Sequence, residues 1–390
     1  MMNEMEQKFV EKVDTYYDDM VETLKSMVNI DSGEDNPEGI EQVAHIIGDF
    51  LKNIHFQVEY LEYPGICTHV KATRRSANPD AKEVMIIGHM DTVFPKGTAA
   101  DRPFTIEGEK AYGPGVLDMK SGITIALYAL KAMDELDLYH NHVTVMFAGD
   151  EEPGHPRTDA KALFKAEAKN KNAVFNMETG ADNGSVVVGR KAIFYPIIDV
   201  EGIAAHSGKD PQKGASAILE LMKKIEDCYA FAAADDDITF NCGIIKGGIV
   251  ANGIPAHAQM QGDFRWSKVE SGPKIIEAMK EICAKKYDPR TTTTYVMDPN
   301  RGFTFPLEPD EKVMKLFDVV HAQGEKIGVD IQPIRVGAGA DSNATYEAGA
   351  PSVCAMGGRG ELNHSAQEYL WLYSLTERAK ILGLSVMAVK

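Results

Sequence analysis

Acidic residues and histidines follow several apolar segments of this chain, at the points where those segments end. One segment runs into His89 and Asp91, another ends just before Glu151 and Glu152, and a third is followed by Glu178. In open α/β sheets, ligands bind at the carboxyl ends of strands. The pattern therefore predicts that these side chains gather at one edge of a sheet.

Two more residues extend this set. Asp118 lies in a glycine-rich turn, residues 112–122, that opens a predicted helix, and His364 precedes the last predicted helix. Nitrogen and oxygen ligands without thiolates suit Zn²⁺, Co²⁺ or Mn²⁺. The two histidines, Asp118, Glu178 and one glutamate of the pair 151–152 give five ligands, which exceed what one tetrahedral site needs. A two-metal site with a bridging carboxylate is therefore the simplest interpretation.

Each group also has an interpretation without a metal. Asp118 would be favoured at a helix N-terminus in any case. His89 and Asp91 could form a solvated pair in a loop, or Asp91 could accept the second ring N–H and orient the ring for a metal. Adjacent residues of an extended segment point in opposite directions. One of Glu151 and Glu152 can therefore bind a metal while the other faces a substrate.

The two ends of the chain have the periodicity of alternating strands and helices. Continuous apolar runs predict strands at residues 84–87, 143–147, 173–177, 331–335 and 352–356. Helical patterns cover about 36–56, 122–136, 159–169, 310–326 and 371–387. Apolar strands that alternate with helices are typical of an α/β fold with a mostly parallel sheet and helices on both faces.

The middle of the chain has a different order of elements. The predicted elements are a strand at 192–200, a helix at 213–229, strands at 238–245 and 256–266, a helix at 273–286 and a strand at 291–297. This β-α-β-β-α-β order is the split βαβ, ferredoxin-like arrangement. We therefore predict a discontinuous α/β domain, residues 1–190 and 307–390, with a smaller α+β domain, residues 191–306, inserted between its halves.

The composition limits the partners. The chain has 390 residues and a net charge of −17, which disfavours nucleic acid and anionic membranes as partners. We find no apolar run of the ~18 residues that a membrane span needs, and no apolar core of a signal peptide at the N-terminus. Five scattered cysteines without a C-x-x-C pair favour reduced thiols in the cytoplasm over a cysteine-based zinc site.

Five ordered segments carry a family resemblance: GHMDTV (88–93), GPGVLDMKSG (113–122), GDEEPG (149–154), METG (177–180) and NHSAQEY (363–369). Together they resemble the M20 metallopeptidases, which are di-zinc amidohydrolases, and in particular the glutamate carboxypeptidase branch. The resemblance covers nearly the whole chain, with the inserted domain in the corresponding place. It implies a catalytic domain and an inserted lid or dimerisation domain.

The resemblance also implies which side chains hold the two metal ions. The ligands are His89 and Glu178 for one ion, Glu152 and His364 for the other, and Asp118 as the bridge between them. The peptide bond after Asp118 is cis in this family. Zinc is the expected metal, with cobalt or manganese as alternatives.

Two further residues receive catalytic roles from the resemblance. Asp91 would orient His89. Glu151 would be the general base, which takes a proton from water activated between the two ions and passes it to the leaving amine.

The inserted domain carries family features as well. His206, in GIAAHSG (202–208), resembles a histidine that enters the neighbouring subunit's active site in dimeric relatives and stabilises the oxyanion, so a homodimer is expected. Asn252 and Arg265 match positions that hold the substrate carboxylate and backbone, although Arg265 could instead form a salt bridge on the strand surface. Gly339, in the turn 337–341, matches a loop that lines the pocket.

Two segments depart from the glutamate carboxypeptidase pattern. Where those enzymes carry a lysine after the METG-like segment, this chain has NGS (183–185), with arginine and lysine only at 190 and 191. HPR (155–157) follows the glutamate pair in place of a small polar stretch. Both differences weaken the prediction of a glutamate substrate.

We therefore expect a two-metal amidohydrolase that acts on a dipeptide or an N-acyl amino acid with a free carboxylate. An aminopeptidase of the same family is the alternative among enzymes, and it would need an acidic group to hold the substrate's amine. A non-catalytic metal- or amino-acid-binding protein on the same fold is the alternative outside enzymes. The complete ligand set together with Glu151 favours an enzyme.

Overall fold

The computed structural model describes residues 2–298 and 303–390. The chain divides into two compact units: a first unit, with residues up to 189, 309–336 and 340–390, and an inserted unit, with residues 190–308 and 337–339. The predicted limits of the inserted domain, 191–306, differ from these by one or two residues. The segment 337–339, which we placed in the discontinuous domain, belongs instead to the inserted unit.

The N-terminal part of the first unit alternates between helices and strands. Its helices are α1 (Glu4–Asp14), α2 (Tyr17–Val28), α3 (Pro37–Asn53), α4 (Thr98–Asp101), α5 (Lys120–Glu135) and α6 (Ala160–Ala168). Its strands are β1 (Gln57–Tyr63), β2 (Cys67–Arg74), β3 (Glu83–His89), β4 (Thr105–Glu107), β5 (Lys110–Tyr112), β6 (His142–Ala148), β7 (Ala173–Asn176) and β8 (Val186–Arg190).

The inserted unit follows, and the C-terminal part completes the first unit. The inserted strands are β9 (Ala192–Phe194), β10 (Pro196–Glu201), β11 (Ala205–His206), β12 (Thr239–Gly247), β13 (Gly253–Ile254), β14 (His257–Trp266) and β15 (Thr292–Met297). The inserted helices are α7 (Ala217–Ala233) and α8 (Ser271–Ala284). The C-terminal elements are α9 (Glu311–Lys326), β16 (Pro333–Val336), α10 (Ser342–Glu347), β17 (Ser352–Val353), β18 (Gly360–Glu361), β19 (Tyr369–Trp371) and α11 (Ser374–Ala388).

The main sheet of the first unit has the strand order β1-β2-β6-β3-β7-β17. Strands β6, β3, β7 and β17 are parallel neighbours, as predicted. Strands β1 and β2 add an antiparallel edge that we did not predict, because β1 is largely exposed and lacks a continuous apolar run. The predicted strand at 331–335 corresponds to β16, which pairs with β8 outside the main sheet.

The register of the parallel strands brings their carboxyl ends together. His89, the last residue of β3, pairs with Ala148, the last residue of β6. Ile87 of β3 pairs with Asn176, the last residue of β7. The segments that follow β3, β6 and β7 therefore leave the sheet at the same edge.

Helices cover both faces of the main sheet. Met85 and Ile87 of β3 pack in one cluster with Phe164 of α6. Gly88 faces the other way along the strand, and a Cβ added to it would lie 2.2 Å from the Cε methyl of Met119, which precedes α5. Because β3 is buried on both sides, its sequence is a continuous apolar run.

A small sheet with the order β18-β19-β5-β4 joins two distant parts of the first unit. Tyr369 of β19 pairs with Tyr112 of β5. This pairing holds the segment that contains His364 beside the segment that leads to Asp118.

The inserted unit contains an antiparallel sheet in the order β12-β14-β10-β15, with β9 also paired to β14. The predicted strand at 192–200 is interrupted at Tyr195, next to Pro196, which has no N–H for the ladder. The predicted helix at 213–229 begins only at Ala217, after a 3₁₀ turn, and runs four residues further. Phe194, Phe264 and other apolar side chains of the sheet form the core with α7 and α8.

Among the described residues, none of the helices combines the length and the apolarity that crossing a membrane requires. The cytoplasmic location, and the exclusion of nucleic-acid and membrane partners, stay predictions.

Candidate active site

Three strand ends of the main sheet supply most of the predicted ligands. His89 ends β3, Glu151 and Glu152 come shortly after β6, and Glu178 comes shortly after β7. Nε2 of His89 lies 3.7 Å from Oε1 of Glu178. The ligand atoms of His89, Glu151 and Glu178 lie within 4.8 Å of one another, and so do those of His89, Asp118 and Glu152. The structure thus brings these predicted residues into one cluster.

Asp118 lies between the two predicted histidine ligands. Its Oδ1 is 3.3 Å from Nε2 of His89, and its Oδ2 is 3.1 Å from Nε2 of His364. Oε2 of Glu152 is 3.3 Å from the same nitrogen of His364. The Asp118 carboxylate therefore presents one oxygen to His89 and the other to His364. The peptide bond between Asp118 and Met119 is cis.

The buried carboxyl groups of the cluster differ in their pKa. Burial opposes the charged form of Asp118, but His364 and His89 outweigh it and lower the pKa of that carboxyl. Burial raises the pKa of Glu151 well above its usual range, and the carboxylate of Glu178 adds to the increase against the opposing effect of His89. Carboxyl groups with such opposed shifts are a feature of acid–base sites.

The donor set fits divalent cations. Asp118 Oδ1 and Glu152 Oε1 are buried oxygens without a hydrogen-bond partner among the residues that the structure describes. Buried charges are normally paired, hydrogen-bonded or bound to a metal. Imidazole nitrogens and carboxylate oxygens without thiolates match zinc, cobalt and manganese.

Asp91 contacts the glutamate pair as well as His89. One of our two interpretations was that its carboxylate accepts the second ring N–H of His89. The nearer acceptor for Nδ1 of His89 is the backbone carbonyl of Asp91, at 3.0 Å, whereas Oδ1 of the carboxylate lies at 3.5 Å. The carboxylate instead accepts the backbone N–H groups of Glu151 and Glu152, at 3.0 and 2.9 Å. Its side chain thus fixes the start of the glutamate pair.

Two residues near the end of the chain also contact the Asp118 segment, and we did not single them out from the sequence. The buried carboxylate of Glu368 accepts the backbone N–H groups of Gly115, Leu117 and Asp118. Burial raises the pKa of Glu368 to about 7 even though these N–H groups lower it. Nδ2 of Asn363 donates to Oδ2 of Asp118 at 2.9 Å. Both residues lie in NHSAQEY (363–369), so the signal was their presence in that segment.

In the inserted unit, His206 lies in a short two-stranded ladder and Asn252 directly precedes one of its strands. His206 of β11 pairs with Gly253 of β13. The backbone N–H and the hydroxyl of Ser207 both donate to the carbonyl of Asn252, at 3.0 Å. The side chains of His206 and Asn252 are exposed. The structure therefore brings these two predicted residues together within this unit.

Arg265 forms the ion pair that was our alternative interpretation. Its Nε and Nη2 donate to Asp263, at 2.8 and 3.1 Å, and Nη2 also donates to the hydroxyl of Tyr195. Nη1 of Arg265 contacts the carbonyl of Gly337 at 3.3 Å. Gly339 is held in the same unit by Arg190, whose Nη1 donates to its carbonyl at 3.2 Å.

Comparison with known proteins identifies the family. The model of the peptidase family M20/M25/M40 matches residues 85–388, so the chain belongs to this family. It is 28% identical over 372 residues to carboxypeptidase G2 of Pseudomonas sp., covering 94% of this chain and 88% of that protein. It is 25% identical over 301 residues to the succinyl-diaminopimelate desuccinylase of Corynebacterium glutamicum, covering 73% and 77%. The fold resembles that of the aminopeptidase PepT of Bacillus cereus, with a TM-score of 0.78 at 19% identity over 96% of this chain and 98% of that one.

These comparisons confirm the resemblance to M20 metallopeptidases. The protein is a hydrolase of the metallopeptidase and amidohydrolase class, with a mixed α/β fold and a dependence on metal.

Replacing Glu368 by alanine should destabilise the first unit and lower its metal content. The change leaves three backbone N–H groups near Asp118 without their charged acceptor, and each such buried group costs roughly 1–3 kcal/mol. Urea unfolding and metal analysis after gel filtration measure both effects. Glu361→Ala, on the exposed side of the same small sheet, is the control and should change neither. Equal unfolding midpoints for the two variants would contradict the role assigned to Glu368.

Proposed function

We propose that the protein is a two-metal hydrolase that cleaves an amide bond next to a free carboxylate, in a dipeptide or an N-acyl amino acid. The observation that carries the proposal is Asp118, whose two carboxylate oxygens face two different histidines in a buried acidic cluster. The names of two relatives, a carboxypeptidase and a desuccinylase, agree with this class of substrate.

The ligands of the two ions are divided about Asp118. His89 and Glu178 would hold one ion, Glu152 and His364 the other, and Asp118 both. When bound, such ions polarise the scissile carbonyl and lower the pKa of water. Zinc is the metal we propose, because two imidazoles with carboxylates are ligands that it favours.

Glu151 would act as the general base. It takes a proton from the attacking water, whose oxygen forms the new bond to the carbonyl carbon. It then delivers that proton to the amide nitrogen as the C–N bond breaks, so that the products are a carboxylic acid, which ionises and gives its proton to the amine or to water, and an amine. Burial raises the pKa of Glu151 above that of a free carboxyl group, which is the direction that suits a carboxylate acting as a general base.

The inserted unit would supply the remaining contacts to the substrate. His206 would stabilise the oxyanion, and Asn252, Arg265 and Gly339 would line the site for the carboxylate end. A substrate carboxylate would compete with Asp263 for the guanidinium of Arg265, since Asp263 already takes two of its nitrogens.

One observation favours the aminopeptidase alternative. A cavity of about 460 Å³ beside Glu152 is lined by Glu34, Asp35 and the apolar residues Val93 and Phe94. Carboxylates at such a place could hold a substrate ammonium group. However, Glu34 pairs with Arg157 at 3.1 Å, and Asp35 accepts the backbone N–H of Lys96. Part of the negative charge is therefore already compensated.

The wild-type protein, loaded separately with Zn²⁺, Co²⁺ or Mn²⁺, should hydrolyse N-acyl amino acids and dipeptides with a free carboxylate, and should fail on their C-terminal amides. Glu151→Gln should keep its metal but lose at least about a hundredfold in kcat, because only the proton transfer is removed. Preference for peptides with a free amine, irrespective of the carboxylate, would support the aminopeptidase. Wild-type activity in Glu151→Gln would contradict the general base.

Asp118→Ala should remove both ions, whereas His364→Ala should remove chiefly one. The reason is that a bridging ligand serves two ions and a terminal ligand serves one. Metal analysis after gel filtration gives the stoichiometry, and circular dichroism controls for folding. Retention of one equivalent by a folded Asp118→Ala protein would exclude the bridge.

A homodimer through the inserted unit is supported by an exposed apolar region. Strand β12 forms an edge of its sheet, and α7 packs beside it. Ile244 and Ile245 of β12 and Leu219 and Met222 of α7 are 46–64% exposed. An unpaired edge strand with apolar side chains can be covered by a second copy of the chain across a two-fold axis. We propose this arrangement, with His206 acting in the partner's site.

Mixing the inactive variants His206→Ala and Glu151→Gln tests that arrangement. In a mixed dimer one site carries both lesions and the other carries neither, so activity should return to about a quarter of wild type when subunits exchange randomly. A tagged pull-down measures the exchange. Exchange without recovery of activity, or sedimentation as a monomer at the assay concentration, would count against the proposal.

A further inference from the structure

His155, in the segment that departs from the family pattern, is buried between two carboxylates. Its Nδ1 lies 2.7 Å from Oδ1 of Asp150, and its Nε2 lies 2.8 Å from Oδ1 of Asp341. The three side chains are at most 5% exposed. Ionised carboxylates only accept hydrogen bonds, so both ring nitrogens carry protons and the ring is positively charged. Consistent with this, and against the effect of burial, Asp341 and Asp150 raise the pKa of His155 to about 10.

Asp150, the residue just before Glu151, is held by this contact and by others. The hydroxyl of Thr158 donates to Oδ2 of Asp150 at 2.9 Å. The backbone N–H of His155 donates to the carbonyl of Asp150 at 3.0 Å. Side chain and main chain together therefore close the segment 150–155 into one turn.

Asp341, the second carboxylate that His155 contacts, is attached to the main sheet through α10. Asp341 directly precedes α10, and α10 packs against α6, β7 and β17. The ring of Phe164, from α6, lies 6.1 Å from the ring of His155 and covers it. His155 thus connects the turn 150–155 to helices that rest on the main sheet.

Glu151 depends on this turn more than Glu152 does. Within residues 2–298 and 303–390, we find no group that donates a hydrogen bond to the Glu151 carboxylate. The carboxylate of Glu152, by contrast, lies 3.3 Å from His364. The direction of the Glu151 side chain is therefore set by its backbone, which Asp91 fixes on one side and the turn fixes on the other.

We propose that His155 is a positioning residue for Glu151: by joining Asp150 to Asp341, it fixes the turn that aims the Glu151 carboxylate. This inference rests on the proposed role of Glu151 as the general base. A shift of about 1 Å in a catalytic group can reduce the rate about a hundredfold without any change in the group itself.

Two substitutions separate the two contacts of His155. The amide nitrogen of glutamine lies about where Nε2 lies, so His155→Gln keeps the contact to Asp341 and loses the one to Asp150. The amide nitrogen of asparagine lies about where Nδ1 lies, so His155→Asn keeps the contact to Asp150. We expect His155→Gln to lower kcat about tenfold or more, with KM within about threefold and full metal content. His155→Asn loses the contact to Asp341, so it breaks the same link and should lower kcat in the same direction.

A double-mutant cycle with Glu151→Gln distinguishes positioning from general damage. If His155 acts through Glu151, His155→Gln should cause no further loss of kcat in the Glu151→Gln protein. The same proportional loss in both backgrounds would overturn the inference while leaving the proposed function intact. No effect of Glu151→Gln alone would overturn the proposed function first.

His142→Gln is the matched control. His142 is a buried histidine at the other end of β6, and its Nδ1 accepts the backbone N–H of Ser76 at 3.0 Å. The His142→Gln variant should have a lower unfolding temperature, as His155→Gln does, but an unchanged kcat. An equal fall in kcat for this control, or loss of metal from His155→Gln in proportion to kcat, would overturn the inference.

If His155→Gln does not fold, Thr158→Val removes the other donor to Asp150 and should lower kcat in the same direction. An unchanged kcat in that variant would also overturn it.

Discussion

The site depends on one electrostatic constraint, the burial of several carboxylates at a single edge of the main sheet. The side chains concerned are Asp91, Asp118, Glu151, Glu152 and Glu178. A buried ionised carboxylate costs several kcal/mol unless charges or hydrogen bonds compensate it. Two histidines and the backbone compensate part of this charge, but Oδ1 of Asp118 and Oε1 of Glu152 have no hydrogen-bond partner among the described residues. Cations bound there, as we propose, would compensate the remaining charge.

Backbone N–H groups compensate part of the buried negative charge in a way that does not depend on metal. Asp91 accepts two of them and Glu368 accepts three. In each case the carboxylate lies in one segment and the N–H groups lie in another, so the same bonds that stabilise the charge also fix a loop. These bonds explain how the loops 149–154 and 113–118, which carry predicted metal ligands, are fixed in position.

The sequence predicted the parts of the site that depend on local pattern. Continuous apolar strands predict a parallel sheet, and a parallel sheet places His89, Glu151 and Glu178 at one edge. The role of Glu368 could not be predicted in this way, because it depends on the pairing of β19 with β5, more than 250 residues apart in the chain.

The ion pair of Arg265 had a local signal, since Asp263 lies two residues away and faces the same side of β14. Segment 337–339 was misplaced because its partners, Arg190 and Arg265, are distant in sequence.

Two buried histidines of the first unit, His89 and His155, each lie between two carboxylates, with different consequences. His89 faces Asp118 and Glu178, and the Oδ1 atom of Asp118 finds no hydrogen-bond partner in the described parts of the chain, which fits the cation that we propose there. His155 faces Asp150 and Asp341 with one ring nitrogen each, so the positive charge there comes from the ring itself. The pKa of His155 is raised above its ordinary value of 6.5. Its charge therefore stabilises the fold at acidic and neutral pH, and this contribution declines as the pH rises toward about 10. The turn 150–155 is thus held by a charge that the protein carries whether or not metal is bound.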